Sequence, residues 1–421
     1  MTAGVPTFFG AGAEIIPIEP VWIIPAKGAL KTLSVNSTNL QSKRRVAIIG
    51  GGVIGMSIAW CLAQQGYPVT IYESGVCGRE ASWAAAGMLA AQIEAEPTEE
   101  ALLPLASASQ LLWPDFAAEL ERASGIEVGF RCEGTLMVAL TRDDLEKLHT
   151  THALHRRLGS DVVWLSAAEV LAREPHLNPR LSGGLYSAAD GQVDNRLVAA
   201  ALATACRASG CVVHENTEVA SIEIDRGTVR GIRLSGDLDE IVPAEIVVIA
   251  AGAWSRGIAG LPPSLRLPVR PVKGQMLALQ MAPQAPLLSH VVWAPNAYLV
   301  PRRDGRLIIG ATTEERGFDR SLTAGGMMAL LDGAWRALPG IEELAIDEFW
   351  CGFRPGSRDD LPILGETEID GLILATGHHR NGILLTPVTA QAISELIMTG
   401  NTPEAIEPFS ITRFHRQGAT V

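Results

Sequence analysis

No uninterrupted apolar run in this chain reaches the roughly 18–20 residues of a membrane-spanning helix, so a transmembrane segment is not expected. Positive charge is also in deficit. Lys and Arg number 34 against 46 Asp and Glu, and the net charge of −12 disfavours nucleic acid and anionic membranes as partners. The six cysteines (Cys61, Cys77, Cys132, Cys206, Cys211 and Cys351) lack metal-ligand spacing and read as reduced thiols of a cytoplasmic protein. Internal repeats and low-complexity tracts are missing too. Residues 1–43 have neither the basic start nor the continuous apolar core of a secretory signal, because Glu14, Glu19 and several prolines interrupt them. They are expected to form an N-terminal extension: a flexible segment, a partner-docking arm or the product of an upstream start codon.

What is present is ample core. With 421 residues, 47% of them hydrophobic and 19% charged, the chain can fill two packed domains. Val46-Ala47-Ile48-Ile49 suits a buried parallel strand. Gly50-Gly51-Gly52-Val53-Ile54-Gly55 follows it and matches G-x-G-x-x-G. Val53 to Gln65 predicts a helix stopped by Gly66, and Pro68 to Glu73 predicts a second strand ending in an acid about 20 residues past the glycines. In such a unit Gly50 permits the tight turn, Gly52 the approach of a pyrophosphate, and Gly55 close packing of helix on strand. The helix N-terminus offers free N–H donors to phosphate, and Glu73 an acceptor for ribose hydroxyls. Such a unit fits FAD and NAD alike.

Further along, Glu133–Leu140 and Gly183–Ser187 carry strand signals, and Asp143–Arg157 and Leu197–Gly210 helical ones. Cys211–His214 and Glu245–Ala250 read as strands. Asp304-Gly305 stands between two strand-like runs, 298–303 and 306–310, and predicts a hairpin in an antiparallel sheet. Gly371–Thr376 predicts a strand, followed by a turn over 377–385 and a helix from Val388 to Met398.

Six motifs in order carry a resemblance: the glycine fingerprint, Ala84 to Met88, Pro271-Val272-Lys273-Gly274, Gly310-Ala311-Thr312, Gly352-Phe353-Arg354-Pro355-Gly356, and Gly377 to Leu385. From about Val46 to Gly400 the chain resembles the glycine oxidase family of thiamine biosynthesis, within the D-amino acid oxidase superfamily. The resemblance implies a mixed α/β fold: a Rossmann-like FAD-binding domain (44–130, 186–265 and 353–400) interleaved with an antiparallel-sheet substrate domain (131–185 and 266–352), then a tail, 401–421. It implies FAD as cofactor, against Gly50, Gly52, Val53, Ile54, Gly55, Glu73, Ser74, Ala81, Ser82, Ala86, Gly87, Met88, Val219, Gly252 and the run His378, His379, Arg380, Asn381, Gly382, Ile383, Leu384. Arg354 is the residue that would pair with a substrate carboxylate, Tyr298 would help hold it, and Arg380 would lie near substrate and flavin.

Plainer roles stand beside these: an ion pair of Arg354 with Asp359 or Asp360, a half-buried strand position for Tyr298, and a surface pair for Arg380. Two departures bear on the pocket, Thr313 where relatives can carry methionine and Asn296 where they can carry histidine. Cys351 reads as a small buried thiol, a flavin link being the lesser alternative. The activity implied is oxidative deamination of glycine, sarcosine or small D-amino acids by a homo-oligomer, giving glyoxylate or its imine, ammonia and, with oxygen as acceptor, peroxide. The alternative is a glycine dehydrogenase subunit, similar to that of hydrogen cyanide synthase, which uses another electron acceptor.

Overall fold

The computed structural model describes residues 43–95 and 97–414, so the expected N-terminal extension falls outside the described residues except for Lys43. Val46–Ile49 is a central strand of a six-stranded sheet ordered 363–366, 372–376, 246–249, 46–49, 69–72, 212–214. Its neighbours Val69–Tyr72 and Ile246–Ile249 run parallel to it, with Val46 opposite both Val69 and Ile246. Only Ile363–Glu366, at the edge, is antiparallel to its partner. The strand is buried throughout, which explains its unbroken apolar sequence.

The two faces of this sheet are covered differently. The helix Val53–Gln64 packs against the helices Asn195–Ala208 and Thr386–Thr399, and Leu103–Ser124 packs on both of those. Ala47, Ile49, Val247 and Ile249 instead join Val219, Ile222, Val229 and Ile232 of a three-stranded meander, 219–225, 228–234 and 237–243. That meander was not anticipated from the sequence.

A second, eight-stranded sheet is ordered 345–356, 270–280, 306–310, 297–301, 291–294, 135–139, 183–187, 162–165. Its neighbours are antiparallel except Val291–Ala294 against Thr135–Ala139. The Asp304-Gly305 hairpin forms as expected: Gly305 has φ +91° and Pro301 faces Leu307. The helix Ala324–Ala337 packs Leu330, Ala334 and Ala337 onto Leu277, Leu299 and Ile309 of this sheet.

Two strands cross the breaks expected at 185/186 and 352/353. Gly183–Ser187 and Ala345–Gly356 each belong whole to the eight-stranded sheet, so Arg354 rises from that sheet. The ladder pairing Arg270–Gln280 with Ala345–Gly356 runs straight through Gly352, and the glycine there interrupts the pattern without ending the strand. The expected tail also packs as far as Phe414: Ile406, Phe409 and Ile411 are buried, and Arg413 pairs with Asp359 at 2.9 Å. Residues 415–421 lie outside the described residues.

Candidate active site

A cleft of about 1100 Å³ is lined by residues of both large sheets. Its floor is the glycine turn. Gly50 has φ +111°, and a Cβ there would fall 2.4 Å from the Ala250 carbonyl oxygen. Gly55 does not line the cleft; a Cβ on it would lie 2.0 Å from the Gly50 oxygen, so its bareness serves the packing of helix on turn. Every other residue expected to hold the cofactor lines the cleft. Glu73 closes the turn, accepting from the Gly51 N–H at 2.8 Å and the Gly75 N–H at 2.9 Å. The Val53 N–H, at the first turn of the helix, donates to Ser82 Oγ at 3.0 Å and so ties the turn to the next lining segment.

That segment is a single helical turn, Ala81–Ala84, followed by extended Ala85, then Ala86 and Gly87, the last with a left-handed φ of +69°. It is held by residues the sequence did not single out. Asn195 Nδ2 donates to the Ser82 and Trp83 carbonyls at 2.8 and 3.0 Å. The buried Arg302 donates to the Ala86 carbonyl at 2.7 Å and to Asn195 Oδ1 at 3.0 Å. Desolvation pushes the Arg302 pKa down to about 10, and Asp194 opposes that shift by favouring the charged form.

The third wall is the turn after Leu372–Thr376. His378 is buried with Nε2 3.2 Å from Thr389 Oγ1, and burial lowers its pKa to about 3. His379 takes a left-handed φ of +47°, and burial lowers its pKa to about 4. Both imidazoles are therefore neutral near pH 7 and poor proton acceptors. The buried Nδ1 of His379 has no hydrogen-bond partner among the described residues. Trp113 Nε1 and Ser109 Oγ both donate to the Leu384 carbonyl, at 2.9 and 2.6 Å, and fix the turn ahead of the helix Thr386–Thr399.

Arg354 and Tyr298 share the remaining wall with Met276, Trp293, Asn296 and Thr313. Arg354 Nη1 donates to the Thr312 carbonyl at 3.1 Å, and among the described residues its guanidinium has no carboxylate partner. Asp359 is taken by Arg413, and Asp360 pairs with Arg270 at 3.4 Å. Tyr298 is buried, and desolvation raises its pKa to about 12 despite the nearby Arg354, so the phenol stays protonated. Bare glycines make room for both: a Cβ on Gly274 would lie 2.6 Å from Arg354 Nη1, and one on Gly310 2.4 Å from the Tyr298 hydroxyl.

Arg380 is also at the cleft, but engaged: Nη2 lies 2.5 Å from Glu99 Oε2, and Nε lies 3.6 Å from Glu94 Oε2. Glu94 itself lines the cleft. No sequence motif pointed to either acid. Cys351 lies outside the cleft lining and its thiol donates to the Arg320 carbonyl at 3.3 Å.

Residues 45–396 match the family of FAD dependent oxidoreductases. The glycine oxidase of Geobacillus kaustophilus is 42% identical over 371 residues, which are 87% of this chain and 96% of that protein. The bifunctional protein ThiO/ThiG of Trichormus variabilis is 37% identical over 380 residues, 90% of this chain but 56% of that longer protein. The crystal structure of the Geobacillus kaustophilus glycine oxidase superposes with a TM-score of 0.82 at 41% identity, covering 88% of this chain and 99% of that one.

Proposed function

Because the chain belongs to the FAD-dependent oxidoreductase family, we propose that it oxidises the C–N bond of glycine and other small amino acids, feeding thiamine thiazole synthesis. The observation that carries this reading is Arg354, a guanidinium lining the cleft with no acid to neutralise it among the described residues.

The lining fits a flavin dinucleotide. The cradle at Gly50 and Gly52 admits a pyrophosphate, the small residues Ala85 and Ala86 admit a flat ring, and the orphaned His379 Nδ1 leaves a polar atom for a ligand to satisfy. Gly50, Gly52, Val53, Ile54 and Glu73 would hold the adenosine diphosphate half with Ser74, Val219 and Gly252. Ala81, Ser82, Ala86, Gly87, Met88 and the 378–384 turn would hold the flavin half. Bound there, FAD would supply a two-electron acceptor that oxygen can recharge with formation of hydrogen peroxide.

Arg354 grips the substrate carboxylate with its planar fork, and the protonated Tyr298 hydroxyl donates to the same group. Fixing the carboxylate holds the small substrate in one orientation, and such orientation would supply up to roughly 7–11 kcal/mol of barrier lowering. The amine enters neutral, so no dedicated base is assigned. The imine product hydrolyses to glyoxylate and ammonia. Arg380, held by Glu94 and Glu99, is assigned a positioning role at the substrate end. Among the described residues no helix is long and apolar enough to cross a membrane, and all six cysteines are free. Both observations support a cytoplasmic enzyme, which we read as a homo-oligomer.

Glycine, sarcosine, D-alanine and D-proline, offered with oxygen as sole acceptor, test the proposal. Peroxide from glycine supports it. Turnover only with an artificial acceptor points to a dehydrogenase instead.

A further inference from the structure

The strand Arg270–Gln280 presents alternate residues to its two sides. Gly274 and Met276 line the cleft, whereas Lys273 and Gln275 do not, and both of these polar side chains are completely buried. They are buried against residues 311–323, the segment leading from the strand Arg306–Gly310 to the helix Ala324–Ala337. Lys273 Nζ donates to the Ser321 carbonyl and lies 3.9 Å from Asp319 Oδ2. Its backbone exchanges two hydrogen bonds with Glu314, each 2.9 Å. Gln275 Nε2 donates to Glu314 Oε1 at 2.7 Å and to Thr323 Oγ1 at 3.0 Å, and its Oε1 accepts from the Thr323 N–H at 2.8 Å.

The segment so held begins at Thr312. Thr312 Oγ1 accepts from the Gln275 N–H at 2.8 Å and donates to Glu314 Oε1 at 2.6 Å, while its carbonyl accepts from Arg354 Nη1. Thr313 and Arg320 of the same segment reach the cleft, and Arg320 binds both oxygens of Glu80 at 2.7 and 2.8 Å. A chain of direct contacts therefore runs from the two buried polar residues to the guanidinium.

We infer that Lys273 and Gln275 are positioning residues that set the Arg354 fork for carboxylate binding by pinning the 311–323 segment behind it. The inference rests on the reading of Arg354 as the carboxylate site. Burial of an ammonium and an amide is costly unless their bonds are made, and here every bond goes to one segment. With the ammonium gone, Ser321 loses its donor, the segment relaxes, and the Thr312 carbonyl no longer fixes one edge of the fork. A displacement of about 1 Å at a positioned group is enough to cost up to about a hundredfold in rate.

The test is a double-mutant cycle on the FAD-loaded enzyme with Lys273→Met, Arg354→Ala and the pair. It is joined by titration of acetate, a carboxylate without an amine, into the holoenzyme, followed by the flavin spectrum. Lys273→Met is expected to raise the glycine KM and the acetate Kd about tenfold while kcat changes less than about threefold. In the Arg354→Ala background it is expected to change kcat/KM less than about twofold. An equal loss in both backgrounds, or no loss of acetate affinity in the single variant, overturns the inference. If Arg354→Ala leaves KM unchanged, it is the carboxylate reading that fails. Gln275→Met reads the same coupling should Lys273→Met fail to accumulate as holoprotein.

Discussion

Gly274 lacks a side chain because Arg354 lies where one would stand, with Nη1 2.6 Å from the ideal Cβ position. Gly274→Ala is therefore expected to displace the fork, raising the glycine KM about tenfold with FAD content unchanged, since a charged hydrogen bond contributes about 1.5–3 kcal/mol. Steady-state kinetics beside the flavin spectrum check this, and an unchanged KM would remove the steric link. At this scale the sequence was informative where a residue belonged to a motif. Arg354 and Tyr298 stood in recognisable runs. Arg302, Asn195, Glu94 and Glu99 did not, because each earns its place through tertiary contacts from distant segments. Arg380 was legible as a cleft residue but its partners were not.

Among the elements, the strand–turn–helix unit at Val46–Gln64 was readable almost to the residue, since a buried strand, a glycine turn and a helix start each leave local marks. Gly55→Ala would put a methyl 2.0 Å from the Gly50 oxygen. It is expected to cost about 1–3 kcal/mol and to weaken FAD retention, seen as a lower denaturation midpoint and a paler protein. The meander at 219–243 was missed for a physical reason. Register shifts at Ile232/Leu234, Val229/Gly231 and Arg233/Leu234 break the two-residue alternation that marks a strand.

The turn at 377–385 carries a pH prediction. His378 has a pKa near 3 in the fold against an ordinary 6.5, so below pH 6.5 the unfolded chain takes a proton that the fold refuses. The stability this group contributes is fully present above pH 6.5 and is lost progressively as pH drops toward 3. His378→Gln should flatten denaturation midpoints measured across that range. A profile identical to the parent would exclude His378 as a contributor.

On the scale of the molecule, two sheets frame one cleft, and neither sheet alone lines it. A cofactor that bridges them binds the folded chain and not the unfolded one. Free FAD at a hundred times its Kd should therefore add about 2.7 kcal/mol to stability, read as a higher Tm than that of flavin-stripped protein. Five strands of the six-stranded sheet were legible as short apolar runs beside glycine turns, and the antiparallel edge strand Ile363–Glu366 was not. The exact reach of the eight-stranded sheet was not, because the expected domain limits at 185/186 and 352/353 fall inside strands whose ladders run on across them.

Anaerobic mixing of the purified, FAD-loaded protein with glycine puts the proposed oxidation itself to the test. The proposed function requires bleaching of the visible flavin absorbance, restored on admitting air with release of hydrogen peroxide. A protein that stays colourless after incubation with FAD, or a flavin that glycine leaves oxidised, would contradict it.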